Sequence, residues 1–131
     1  MASSLHGLGF DSLSLAVFRA KTSANVFNSI MLRNKDLQQK QKDIYKACRH
    51  NYVVAIKSLG DAKTAWNEKK YSLATKSIEV AQHIPISCEK ALVEAPNFQA
   101  KRANEMSDII FDIPLVVAKE MENNGHKTED E

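Results

Sequence analysis

Two cysteines, four histidines and one pair of aspartates at helical spacing are the residues of this chain that could carry chemistry. A hydrolase needs a nucleophile beside a base, or two carboxylates facing one substrate. Asp108 and Asp112 stand at i and i+4 and share a helix face, but no histidine lies beside them. His6, His50, His83 and His126 are scattered along the chain. Cys48 and His50 stand at i and i+2, which puts them on different sides of a helix, so they make no metal pair. Gly7-x-Gly9 lacks a third glycine and a preceding strand, which argues against a phosphate loop. The chain therefore reads as no enzyme, with no cofactor and no metal.

Other residues suit binding. Lys69, Lys70 and Tyr71 sit at a polar turn opening a helix, where a cation and an aromatic can meet a partner. The plainer reading is a solvated lysine and a tyrosine packed at a helix end. Trp66 closes an apolar stripe and reads first as core, although tryptophan is also enriched at binding faces. Lys35, Lys40, Lys42, Lys46 and Arg49 form a basic run against Asp36 and Asp43. With Tyr45 the one aromatic within it, that run reads as a solvated helix face and not as a nucleic-acid surface.

What positions these residues must be helical. The chain has 131 residues, one domain's length, with only four glycines and three prolines, too few for the turns of an all-β fold. Its formal charge of +2 is too small to argue for nucleic acid or an anionic membrane. No run is apolar for the roughly 18 residues that span a bilayer, and no leader pattern is read at the N-terminus.

Apolar periodicity predicts four helices. The first covers about Leu5 to Leu32, with Leu13, Val17, Ala20, Ala24, Phe27 and Met31 inward. Leu8, Leu15, Val26 and Ile30 add a second strip, so burial on two sides is expected. The second helix covers about Lys35 to Asn67, with a stripe of Ile44, Cys48, Tyr52, Ala55, Leu59, Ala62 and Trp66. The third covers about Lys70 to Leu92, with Ala74, Ser77, Ala81, Ile84, Cys88 and Ala91 inward. The fourth covers about Asn97 to Met121, with Ala103, Met106, Ile110, Ile113 and Val117 inward. Pro85 and Pro114 should bend the last two. Short connections imply an all-α, antiparallel up-down-up-down four-helix bundle over residues 1–121. The polar residues 122–131 are expected to form a disordered acidic tail.

The two middle stripes share a register. In an antiparallel hairpin, level residues have a constant index sum, and Cys48 with Cys88, Tyr52 with Ile84, Ala55 with Ala81 and Ala62 with Ala74 all agree. Their common midpoint falls in Asn67-Glu68-Lys69, a polar turn. Alanine facing alanine allows the close approach a disulfide needs. Two buried free thiols at the same positions remain the alternative.

At this stripe the sequence resembles the plant invertase and pectin methylesterase inhibitor family. The resemblance rests on Cys48, Tyr52, Ala55, Leu59, Ala62, then Lys70-Tyr71, then Cys88-Glu89, at the spacing of that family. Leu5-His6-Gly7-Leu8-Gly9 and Ser107 to Ile113 are similar to its first and closing bundle segments. The resemblance implies a four-helix bundle in which Cys48 and Cys88 are bonded. It also implies export to the cell wall, an extracellular location, and binding to one of two target enzymes. One is invertase, a beta-fructofuranosidase. The other is pectin methylesterase, a pectinesterase.

Family members normally begin with a signal peptide and a helical hairpin carrying another cysteine pair, neither of which is read in this chain. Invertase inhibitors carry a Pro-Lys-Phe segment that enters the active site with its paired carboxylates. This chain has Lys69-Lys70-Tyr71 there, with the proline replaced, and these three residues are the implied inhibitor contact. The expected function is thus a protein inhibitor that blocks one of these enzymes. The alternative is a truncated, non-inhibitory helical bundle acting as an interaction protein. Self-association through apolar surface uncovered by the missing hairpin is expected in either case.

Overall fold

The computed structural model describes the backbone of residues 2–130 and the side chains of residues 5–124. Four helices follow one another: α1 (Ala2–Arg33), α2 (Gln39–Asn67), α3 (Tyr71–Leu92) and α4 (Phe98–Asp130). No strand occurs among the described residues. Each connection is a few residues long, which makes sequential helices antiparallel. α1 packs against α2 and α4, and α3 packs against α2 and α4, while the diagonal pairs keep their backbones apart and meet through side chains such as Tyr52 and Asn104. That is the expected four-helix bundle.

Helix starts have local causes. The Gln38 amide donates to Gln41 Oε1 at 3.0 Å, satisfying one amide that the start of α2 leaves without a helical partner. Asn97 Oδ1 accepts from the Ala100 amide at 3.0 Å and so caps α4 after Pro96.

The cysteine register holds. Cys48 and Cys88 are bonded, with their Cα atoms 5.5 Å apart, and both are buried. On α2 the inward stripe is Tyr45, Cys48, Tyr52, Ala55, Leu59, Ala62 and Trp66, with Ile44 displaced to its edge in favour of Tyr45. Tyr45 wins the inner position because its ring fills the core while its hydroxyl donates to Ala95 O at 2.9 Å. On α3, Ile78 is buried and Ser77 and Ala91 are only half-buried.

Two expected faces hold only in part. On α4, Ala103 and Val117 are buried as expected and Ile110 packs on the core, but Met106 and Ile113 are exposed, and Ala100, Asn104, Ser107, Phe111, Pro114, Leu115 and Ala118 turn inward as well. The core takes polar residues here because each has a partner. Tyr52 Oη donates to Asn104 Oδ1 at 2.6 Å, and Asn104 Nδ2 donates to Pro85 O at 2.7 Å, tying α2, α4 and α3 together. Burial pushes the Tyr52 phenol far above its ordinary pKa. Ser107 and Ser23 share a buried hydrogen bond at 2.7 Å.

On α1 the main stripe holds, with Leu13, Ala20, Ala24 and Phe27 buried; of the second strip Ile30 is buried and Val26 packs on the core, while Leu8 and Leu15 are exposed. Small buried residues such as Ala16, Ala20 and Ser23 let α1 lie close to its neighbours. Both prolines are buried within helices that continue through them.

α4 also runs past the boundary expected at Met121. Glu122 accepts a hydrogen bond from Thr75 Oγ1 on α3, so it belongs to the bundle. From residue 125 on, the expected tail falls outside the residues whose side chains are described.

Candidate interaction site

The turn between α2 and α3 joins the two helices that the disulfide ties together. Its backbone is a helix stop with two reversed hydrogen bonds. The Lys70 amide donates to Ala65 O at 2.8 Å and the Lys69 amide donates to Trp66 O at 3.0 Å. This pairing satisfies the last carbonyls of α2 and requires a left-handed residue just past the helix. Lys69 takes that position with φ of 61°, the one non-glycine residue with positive φ among those described. Lys69 is exposed at the tip. Lys70 is exposed beside it, its Nζ 3.0 Å from Glu68 Oε2 in an open ion pair. Such exposed pairs hold a side chain only loosely, at about 0–1 kcal/mol.

Tyr71 behaves differently from its two neighbours. Its ring meets Trp66 edge-on with centroids 4.7 Å apart. Its hydroxyl lies 2.9 Å from His6 Nδ1. Burial raises the Tyr71 phenol above its ordinary pKa. The Trp66 indole donates to His6 O at 2.7 Å, and the His6 and Trp66 rings stack at 5.6 Å. Tyr71, Trp66 and His6 therefore plug one end of the bundle and fix the turn from beneath. Trp66 is fully buried, as its place in the stripe suggests.

Gly9 makes this plug possible. A Cβ on Gly9 would stand 2.0 Å from Trp66 Cζ2, far inside contact distance. The Gly7-x-Gly9 pair thus serves packing at its second glycine. The link between His6 and Tyr71, which lie 65 positions apart, is not legible in the sequence. No local signal carries such a pairing; only a correct α1–α2–α3 topology brings it into view.

The site has no catalytic or metal arrangement to offer. Among the described residues no group of three His, Cys, Asp or Glu side chains could hold a metal ion. Asp108 has its carboxyl raised by burial and then by Asp112 and Glu89, with Asp112 accepting from Gln82 Nε2 at 2.6 Å. That is an α3–α4 surface cluster without a base or nucleophile beside it. No helix is long and apolar enough to cross a membrane among the described residues. The basic run before and within α2 lies along the surface, and Lys40 pairs there with Glu94 at 3.2 Å. What remains at the turn is a projection carrying two lysines and braced from beneath by Tyr71, Trp66 and His6.

Comparison with known proteins agrees with this picture. The chain is 31% identical over 116 residues to a pectinesterase inhibitor from Actinidia deliciosa. That match takes in 87% of this chain and 62% of the relative, so the chain spans about three-fifths of the relative's length. The crystal structure of a pectin methylesterase inhibitor from Arabidopsis thaliana superposes with a TM-score of 0.79. It covers 88% of this chain and 76% of the other, at 18% identity, and so supports the fold. No family model matches the chain. Both similar proteins are inhibitors by name, not enzymes.

Proposed function

We propose that the chain is a pectinesterase-inhibitor-like domain, similar to the proteins just described, and that it binds a pectin methylesterase and blocks it, acting as an inhibitor and not as an enzyme. The observation that carries the reading is the identity to a pectinesterase inhibitor along 87% of this chain. Its extracellular location follows from the same reading, since pectin is a cell-wall polymer. The turn contributes to the contact through Lys69 and Lys70, which are exposed, braced from beneath and joined to a disulfide-tied hairpin. Tyr71, assigned to the same contact from sequence, supports the turn instead of projecting from it. A preformed projection loses little conformational freedom on binding, which favours affinity.

Invertase is the second target class the sequence suggests. Its support is the pairing of Lys70 with Tyr71, and a half-buried Tyr71 packed on Trp66 and His6 offers a partner less of its ring. The two targets separate in one assay. Titration of the protein into a pectin methylesterase and a cell-wall invertase should suppress ester hydrolysis and leave sucrose cleavage unchanged. Suppression of invertase alone would reverse the order of the two readings.

Self-association belongs to the same proposal. Leu15 and Phe18 on α1 and Ile109, Ile113 and Val116 on α4 are exposed. Leu15 lies about three turns before Val26, and Ile113 about two turns after Met106. Val26 and Met106 line one groove between α1 and α4, so both apolar strips continue that side of the bundle. Apolar surface gathered on one side favours association of copies.

A further inference from the structure

α1 and α4 enclose an open groove of about 490 Å³ toward the α3–α4 end of the bundle. Three arginines line it: Arg19 and Arg33 from α1 and Arg102 from α4. No aspartate or glutamate lines it. Every ion pair among the described residues uses a lysine, and none involves these arginines. Arg19 adds a second sign of an unmet need. Its Nε is buried and has no protein acceptor among the described residues. A buried guanidinium donor without a protein acceptor is uncommon, and it belongs to one of the three arginines that line this groove.

The three cations form a row. Arg19 and Arg33 are about 21 Å apart along α1 at 1.5 Å per residue. Ser23 bonds both Ala103 O and Ser107 Oγ across the seam, which fixes the level of α4 against α1. That level sets Arg102 between the other two. The space between the charges is lined by Asn25, Ser29 and Gln99, whose side chains both donate and accept hydrogen bonds. At the rim Phe98 is 77% exposed and offers a flat apolar face.

We propose that this groove binds a linear polyanion whose charges are carboxylates, namely a polyuronate chain. Guanidinium groups match carboxylates through two parallel hydrogen bonds. A row of them at intervals fits a repeating acid better than one acidic side chain of a protein. The amides and the serine suit sugar hydroxyls, and the Phe98 face suits the apolar side of a sugar ring. The choice of uronate among linear polyanions rests on the function proposed above, because a pectin methylesterase leaves such carboxylates along its polysaccharide.

The test is direct binding of the full chain to three polymers, with no enzyme present: polygalacturonate, the same polymer fully methyl-esterified, and heparin. Polygalacturonate should bind, and the esterified polymer should bind at least about tenfold more weakly, since it offers no charge-assisted hydrogen bonds. The double variant Arg33→Gln/Arg102→Gln should lose at least about tenfold in affinity for polygalacturonate. Its thermal melt should match the parent's, because both side chains are exposed. Equal binding of the esterified polymer, tighter binding of heparin, or an undiminished double variant overturns the proposal. So does a double variant that loses only enzyme inhibition, which would assign the arginines to an acidic patch of the target. Because the polymer-binding measurements contain no enzyme, failure of the inhibitory reading leaves them interpretable.

Discussion

The α2–α3 pair and the α1–α4 pair close the same bundle by different means. Between α2 and α3 stand a disulfide and facing alanines, Ala55 and Ala62 against Ala81 and Ala74, all buried. Between α1 and α4 the central tie is the hydroxyl pair of Ser23 and Ser107. The first pair therefore holds its shape through covalent and steric constraint and ends in a fixed turn. The second holds through ordinary packing and leaves exposed leucines, isoleucines and unpaired arginines on its outer side. Rigidity sits where a projection is presented, and sticky, charged surface sits on the other flank.

Removing the disulfide should have the largest effect. Cys48→Ala/Cys88→Ala should lose about 4 kcal/mol by the loop-closure model, read as a lower denaturant midpoint. Reduction of the parent should reproduce the loss. Equal midpoints with and without reductant would remove the distinction between the two pairs.

The aromatic plug at the turn end comes next. Gly9→Ala puts a methyl group into the Trp66 ring and should cost about 1–3 kcal/mol as α1 is pushed outward. Trp66 fluorescence should shift to the red as water reaches the ring. Gly7→Ala is the control, since nothing lies within 4 Å of a Cβ there. It should leave the spectrum unchanged and slightly raise stability. If the two variants melt alike, the plug does not brace the turn.

The smallest effect concerns the turn itself. Lys69 holds a left-handed conformation that glycine adopts without strain. Lys69→Gly should raise stability by up to about 1 kcal/mol, visible as a melting point higher by a few degrees. A fall in the melting point would mean that the turn does not limit the hairpin.

The contrast between the pairs also explains what was legible in the sequence. The α2 stripe was readable because its inward residues are apolar or aromatic at steps of three and four. The α3 stripe shared its register closely enough to forecast that the cysteines are level. On α4, Ala103 and Val117 are legible, but its inner face also includes Asn104 and Ser107, which no count of apolar residues selects. Their burial is tolerable only because Tyr52, Pro85 and Ser23 supply partners from three other helices. Met106 and Ile113 carried the apolar signal and lie outside. On α1 the same happened, with Leu8 and Leu15 outranking Ala16 in hydrophobicity but not in position. At the site, Lys69 and Lys70 were found by their place in the turn. The inward course of Tyr71 was hidden, because it depends on His6 at the far end of the sequence.

Whether the braced turn meets a pectin methylesterase is decided by comparing Lys69→Glu/Lys70→Glu with the parent for inhibition of the enzyme, with thermal melts alongside. If it does, the inhibition constant rises at least about tenfold, since reversing charges at a contact costs several kcal/mol. The melting point should change little, both side chains being exposed. A double variant that inhibits as well as the parent, with an unchanged melt, would show that the turn makes no such contact.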